Sequence, residues 1–209
     1  MKLMRIFTLC LAILTMLCLG CGGNSADKKA SVPTVTKKAQ ASESNYTGNS
    51  KILIVYFSHS GNTQRLANMF QAATGADMFR VETVKPYSKS YHAVLNEAKQ
   101  EQQNNARPEL VKLQADNFAA YETVFIGYPN WWNSMPMALF TFLEANDTNG
   151  KKIIPFATHE GGAFGQSIGD LKKLAPNANV VDGFEVRGGL VSDAEADVAK
   201  FVQGLGLAK

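Results

Sequence analysis

Three short stretches carry the residue types with which a chain can hold a flat, anionic ligand. The first is Ser58-His59-Ser60-Gly61-Asn62-Thr63, which sets three hydroxyls and an amide around a single glycine. A tight turn that opens a helix aims backbone N–H groups outward, where the helix dipole favours an anion. No Lys or Arg lies in the stretch, so a phosphate there would rest on neutral donors alone. It lacks the Gly-Lys-Ser/Thr of a nucleoside-triphosphate loop and the three spaced glycines of a dinucleotide fingerprint. The second stretch, Gly127 to Pro136, contains Pro129, Asn130 and both tryptophans of the protein, Trp131 and Trp132, side by side. Indoles in a loop expose apolar area at a cost unless they stack on a flat partner. Neighbouring residues of an extended segment point opposite ways, so at most one indole is expected to stack on a ligand. The third stretch is Thr158-His159-Glu160-Gly161-Gly162-Ala163-Phe164-Gly165. Its glycines permit close backbone approach, and Thr158 and His159 can donate or accept hydrogen bonds. Taken singly, each stretch also fits a plain turn: a polar cap, two indoles folded inward, a flexible glycine loop.

Other chemistry is sparse. His59 and His92 have no partners at ligand spacing, so no metal site is expected, and no residue is assigned as catalytic. His159 is either a pH-sensitive donor or a histidine facing away from the ligand, and Glu160 reads as a solvated loop charge. All three cysteines, Cys10, Cys18 and Cys21, lie in the first 21 residues, so the remainder has no disulfide, thiol nucleophile or Cys metal cluster.

The elements that must position the three stretches follow from hydrophobic pattern. The continuous apolar run Ile52 to Phe57 reads as a central strand of a parallel sheet covered on both faces. Residues 62–74 repeat apolar side chains at helical spacing, and 78–82 form a short second strand. A helix is predicted over 91–103, a strand over 123–127 and a helix from Pro136 to Glu144, with its proline in the first turn. Strand 152–157, helix 166–174, a fifth strand from Val180-Val181 or from 183–186, and a helix over 193–205 complete the chain. Strands alternating with helices imply an α/β domain: a doubly wound parallel sheet with helices on both faces. Ligands of such sheets bind beyond the carboxyl ends of the strands, where all three stretches fall.

The first 50 residues read differently. Met1 to Arg5 is positive and Ile6 to Leu19 apolar, shorter than the roughly 20 residues that span a bilayer, so 1–21 reads as a signal peptide. Gly20 before Cys21 resembles a lipoprotein cleavage site, although Cys18 stands where such sites usually place Leu. That expectation puts a lipid anchor on Cys21 and the protein at the cell envelope; a secretory cleavage nearby, or an uncleaved anchor, is the alternative. Residues 22–50 have almost no large apolar group and read as a disordered tether, reaching on the order of 30 Å as a coil. The formal charge of +3 is unevenly spread: residues 22–51 hold five lysines against Asp27 and Glu43, whereas 52–209 hold 14 basic and 16 acidic residues. A near-neutral domain without a basic patch is not expected to bind nucleic acid.

In combination and order, Phe57 to Thr63, Gly127 to Trp132 with Pro136, and Pro155-Phe156-Ala157-Thr158 with Gly161-Gly162 resemble the flavodoxin-like FMN proteins over about 51–204. The resemblance implies a five-stranded sheet of order 2-1-3-4-5 in a domain spanning 51–209, with FMN as cofactor. It implies that Ser58, Ser60, Gly61, Asn62 and Thr63 meet the FMN phosphate, with His59 among the cofactor-binding residues. Pro129, Asn130, Trp131 and Trp132, with Thr158, His159, Glu160, Gly161 and Gly162, would bracket the isoalloxazine ring. Relatives commonly carry a single Ser where this chain has His159-Glu160. The expected function is redox: an electron carrier, or a reductase of quinone-like acceptors, working with a partner protein or a quinone-like molecule. A non-catalytic binding module on the same scaffold is the alternative.

Overall fold

The computed structural model describes residues 51–209; the expectations for the signal peptide, Cys21 and the 22–50 tether lie outside the described residues. The sheet begins with β1 (Ile52–Tyr56), β2 (Asp77–Arg80), β3 (Thr123–Pro129) and β4 (Lys152–His159). It is completed by β5 (Asn179–Val180) and β6 (Phe184–Arg187). All pairings are parallel and the order is β2-β1-β3-β4-β5, with β6 also on β4. The helices are α1 (Asn62–Thr74), α2 (Tyr91–Gln103), α3 (Met137–Ala145), α4 (Ser167–Leu174) and α5 (Glu195–Gly204).

The unbroken apolar run of β1 is explained by a core on each face of the sheet. Leu53 and Val55 join Val124, Ile153, Leu139 and Phe142 in one core, under α3 and α4. Ile54 and Tyr56 join Phe125, Ile154, Phe70 and Val202 in the other, under α1 and α5. Successive strand residues point to opposite faces, so a strand between two helical layers has no polar side to display.

The fifth position of the sheet is divided. A strand has two edges and β3 takes one of β4's, so β5 and β6 follow each other along the other. The Ile153 carbonyl accepts from Val181 N–H at 3.0 Å, while Lys152 N–H donates toward β3 at 2.9 Å. Odd-numbered residues of β4 therefore face the fifth position, and Pro155 is among them. Proline has no N–H to donate, and the ladder lapses between Val180 and Phe184, opposite that missing donor. Both candidate segments for the fifth strand are used, one on each side of the gap.

Other boundaries move for local reasons. β3 and β4 each run two residues beyond the hydrophobic signal, because Pro129 pairs with Thr158 and carries the ladder into the loops. Pro136 is extended (φ −56°, ψ 141°) and precedes α3 instead of entering its first turn. The last helix starts late, after a 3-10 segment over Gly188–Asp193.

Candidate functional site

At the carboxyl end of β1 the chain turns through Gly61, whose φ of 95° is open to glycine and costly for other residues. Gly61, the N-cap residue of α1, has no side chain with which to cap it. Ser58 Oγ accepts the N–H of Gln64 at 3.2 Å, and Gly61 C=O accepts that of Arg65 at 2.9 Å. The five successive N–H groups from His59 to Thr63 have no partner among the described residues. Unpaired amides at a helix start form an anion-binding concavity. Ser58 and Thr63 are buried, whereas His59 and Ser60 are exposed. The Thr63 hydroxyl bonds that of Thr158 at 2.9 Å, which ties the first stretch to the third.

The loop is not without a cation, contrary to what its own residues suggest. Arg80, the last residue of β2, pairs in register with Tyr56 and sends its side chain beneath the turn. Nη2 donates to Ser58 C=O at 3.3 Å and Nη1 to Gln64 Oε1 at 3.1 Å. Nε lies 3.3 Å from Glu82 Oε1 but is buried without a hydrogen bond.

The two indoles part company, as neighbours were expected to, by a different device. Trp131 and Ser134 exchange backbone hydrogen bonds of 2.8 and 3.0 Å across Trp132 (φ 50°) and Asn133 (φ 67°). Positive φ at both central residues makes this a type I′ turn, a conformation rare for a bulky aromatic and a mark of local strain. Trp131 is half-buried and meets Phe57, Tyr87 and His59 edge-on, with ring centroids 5.3, 5.2 and 5.8 Å away. Trp132 is 42% exposed and lies along α2, its Nε1–H donating to Leu95 C=O at 2.8 Å beneath the Lys99 ammonium. Tyr87 donates to Glu101 at 2.6 Å and lines a cavity of about 260 Å³ with Lys85, Glu97 and Glu109. Burial holds both the Tyr87 phenol and the Glu101 carboxyl above their ordinary values; for Glu101 the Tyr87 hydrogen bond works against this.

In the third stretch, His159 is used internally. Its Nδ1 accepts the N–H of Gly161 at 2.8 Å, so the ring proton sits on Nε2, facing the Glu185 carboxylate of β6. Asn130 Nδ2 donates to Ala163 C=O at 2.7 Å and Gly162 C=O at 3.2 Å, joining the second stretch to the third. Glu160 is exposed, as a solvated loop charge would be, and it lies close to the first stretch. A Cβ built on Gly188 would stand 2.5 Å from Glu160 Oε1 and 2.8 Å from Asn62 Nδ2, so carboxylate and amide both lie against that glycine. Arg187 reaches over Gly161 in the same way, at 3.4 Å.

All fifteen candidate residues thus fall in one connected region at the carboxyl ends of β1, β3 and β4. Five contributors were missed: Arg80, Tyr87, Glu185, Arg187 and Gly188. None carries a local signal, since each lies outside the three stretches and arrives by strand register or loop packing. A wider groove of about 620 Å³ between β6 and α5 involves no residue of the three stretches.

The flavodoxin family model matches residues 51–204. A candidate flavoprotein from Bacteroides eggerthii is 33% identical, covering 72% of this chain and 99% of its own, at a TM-score of 0.60. One from Bacteroides uniformis is 28% identical over 73% of this chain and 97% of its own, TM-score 0.65. A Lactobacillus acidophilus flavoprotein solved with FMN shares the fold at 19% identity, over 71% and 97%, TM-score 0.55. No curated protein matches the chain. With its sheet order, the amide-lined turn and a family match over essentially every described residue, this chain belongs to the flavodoxin family.

Proposed function

We propose that the domain is an FMN-dependent redox protein, an electron carrier or a reductase of quinone-like acceptors, held at the cell envelope by a lipid on Cys21. FMN is its cofactor, and the residues fit it. The N–H groups of His59 to Thr63, with the Ser60 hydroxyl and the Asn62 amide, receive the phosphate. Ser58 and Thr63 spend their hydroxyls inside the protein and shape the turn. Pro129 to Trp132 on one side and Thr158 to Gly162 on the other bracket the ring. Bound FMN supplies one- and two-electron redox chemistry, while the protein sets access and electrostatics. Trp131, seated on Phe57 and Tyr87, excludes water from one flank. His159 holds the Gly161 peptide through Nδ1 and turns Nε2 toward Glu185.

The run of unpartnered amides at the start of α1 carries this reading. Its test is a titration of the purified full chain with FMN, followed by tryptophan fluorescence and visible absorbance. Quenching with bound yellow colour at micromolar FMN is expected, and the absence of both overturns the assignment. Steady NAD(P)H oxidation with a quinone marks the reductase, and reversible reduction without turnover marks the carrier. Nicotinamide donors are scarce outside the cytoplasm, so at the envelope a membrane quinol or a redox protein is the fitting donor. Incorporation of labelled fatty acid, lost in Cys21→Ser, tests the anchor. A flavin-free binding module is the second reading, favoured by the ring contacts that Trp131 already makes within the protein; a flavin bound mole for mole excludes it.

A further inference from the structure

We propose that Arg80 is a positioning residue for the phosphate turn, supplying from beneath it the cation that the turn lacks. The proposal rests on the FMN reading of the site.

The guanidinium grips the turn at both ends. Nη2 donates to the carbonyl of Ser58, where the turn begins, and Nη1 to the side chain of Gln64, where it has become helix. Gln64 N–H in turn donates to Ser58 Oγ, which closes a ring of three hydrogen bonds around the base of the turn. The planar fork of arginine allows two such contacts at fixed separation, which an ammonium cannot reproduce.

The contact at Ser58 also acts electrically. The peptide between Ser58 and His59 is trans, so its carbonyl and its N–H point in opposite directions. A cation on the carbonyl polarises that peptide and makes the His59 N–H, first of the five unpartnered amides, a stronger donor. The positive charge itself stands behind the whole run. Glu82, 3.3 Å from Nε, and the Tyr56 phenol are the titratable groups beside Arg80. The Glu82 carboxylate offsets part of the charge without sharing the two contacts that shape the turn. Arg80 is about three-quarters buried at the side chain and its Nε makes no hydrogen bond, an arrangement that costs stability on its own account.

The test compares full-chain wild type, Arg80→Gln and Arg80→Lys in calorimetric titrations with FMN and with riboflavin, at low and high salt. Charge-assisted contacts of this kind set the expected scale: Arg80→Gln weakens FMN on the order of 10- to 100-fold and leaves riboflavin within about 3-fold. Arg80→Lys falls between, because it returns the charge and not the fork. The FMN affinity of wild type falls more steeply with salt than that of Arg80→Gln. Equal losses for both ligands, or an unchanged FMN affinity, overturn the proposal. Circular dichroism and melting of the apoproteins report folding, and if Arg80→Gln fails to fold, Arg80→Lys carries the same FMN-against-riboflavin comparison. Wild type binding neither ligand defeats the FMN reading and the proposal with it. Wild type binding both, with variants indistinguishable from it, defeats the Arg80 role alone.

Discussion

The hydroxyls of Thr63 and Thr158 bond each other at 2.9 Å in a fully buried contact, joining the first turn of α1 to the end of β4 across 95 residues. One residue from the phosphate turn and one from the glycine loop are thereby locked together. Replacing either by Val leaves the other hydroxyl buried and unsatisfied, at about 1–2 kcal/mol. The double variant is expected to cost less than the two singles summed. Urea unfolding of the four proteins measures this, and additive losses would show that the contact contributes nothing.

Ser60 is exposed, and its N–H belongs to the unpartnered run. Ser60→Ala is expected to weaken FMN about 10-fold, the scale of one hydrogen bond to a charged group, and to leave riboflavin unchanged. Fluorescence titration with the two flavins reads it, and a parallel loss would remove the hydroxyl from the phosphate.

Glu160 Oε1 and the Asn62 amide both lie against Gly188, which sets the carboxylate's negative charge beside the turn proposed to receive the phosphate. Glu160→Gln is therefore expected to tighten FMN severalfold at low ionic strength and much less at high salt. An unchanged affinity at low salt would place the carboxylate too far away to matter.

Glu101 has its folded value raised, first by burial and then by the charge of Glu97. A carboxyl raised on folding binds its proton more tightly in the native state. Its contribution to stability is present below the unfolded value and lost as pH rises through the folded one. Stability should decline across the interval just above the ordinary Glu range. Glu101→Gln keeps an acceptor for the Tyr87 hydroxyl and is expected to flatten that decline. Urea midpoints between pH 4 and pH 7, about the window concerned, decide it; an unaltered slope would assign the decline to another group.

A Cβ on Gly127 would stand 2.0 Å from the Phe156 ring across the β3–β4 ladder. Gly127→Ala should cost about 2–3 kcal/mol by overpacking, read as a lower denaturation midpoint. Pairing it with Phe156→Leu should return part of the loss.

How much of this was legible depends on how far each cause lies along the chain. Ile52 to Phe57 reads as a doubly covered strand because every side chain in it must be apolar. The 62–74 and 91–103 helices announce themselves by spacing. The three stretches could be gathered at one end because a parallel sheet leaves no other place for loops that follow strands. Arg80 was invisible, since its position beneath Ser58 is set by a strand register that no single segment encodes. The fate of His159 depended on Glu185, 26 residues away. The turn at Trp132 and Asn133 was hidden for another reason: left-handed backbone at a tryptophan opposes local preference and is imposed by the packing around it.

Pro155 has a consequence for life in a crowd. A sheet that ends in a long, regular strand offers a row of free donors and acceptors on which a second molecule can zip. Here that border is cut into pieces of two and four residues by a proline one strand inward. Neither piece is long enough to template a stable foreign strand, so the interruption guards the molecule against self-association along its margin.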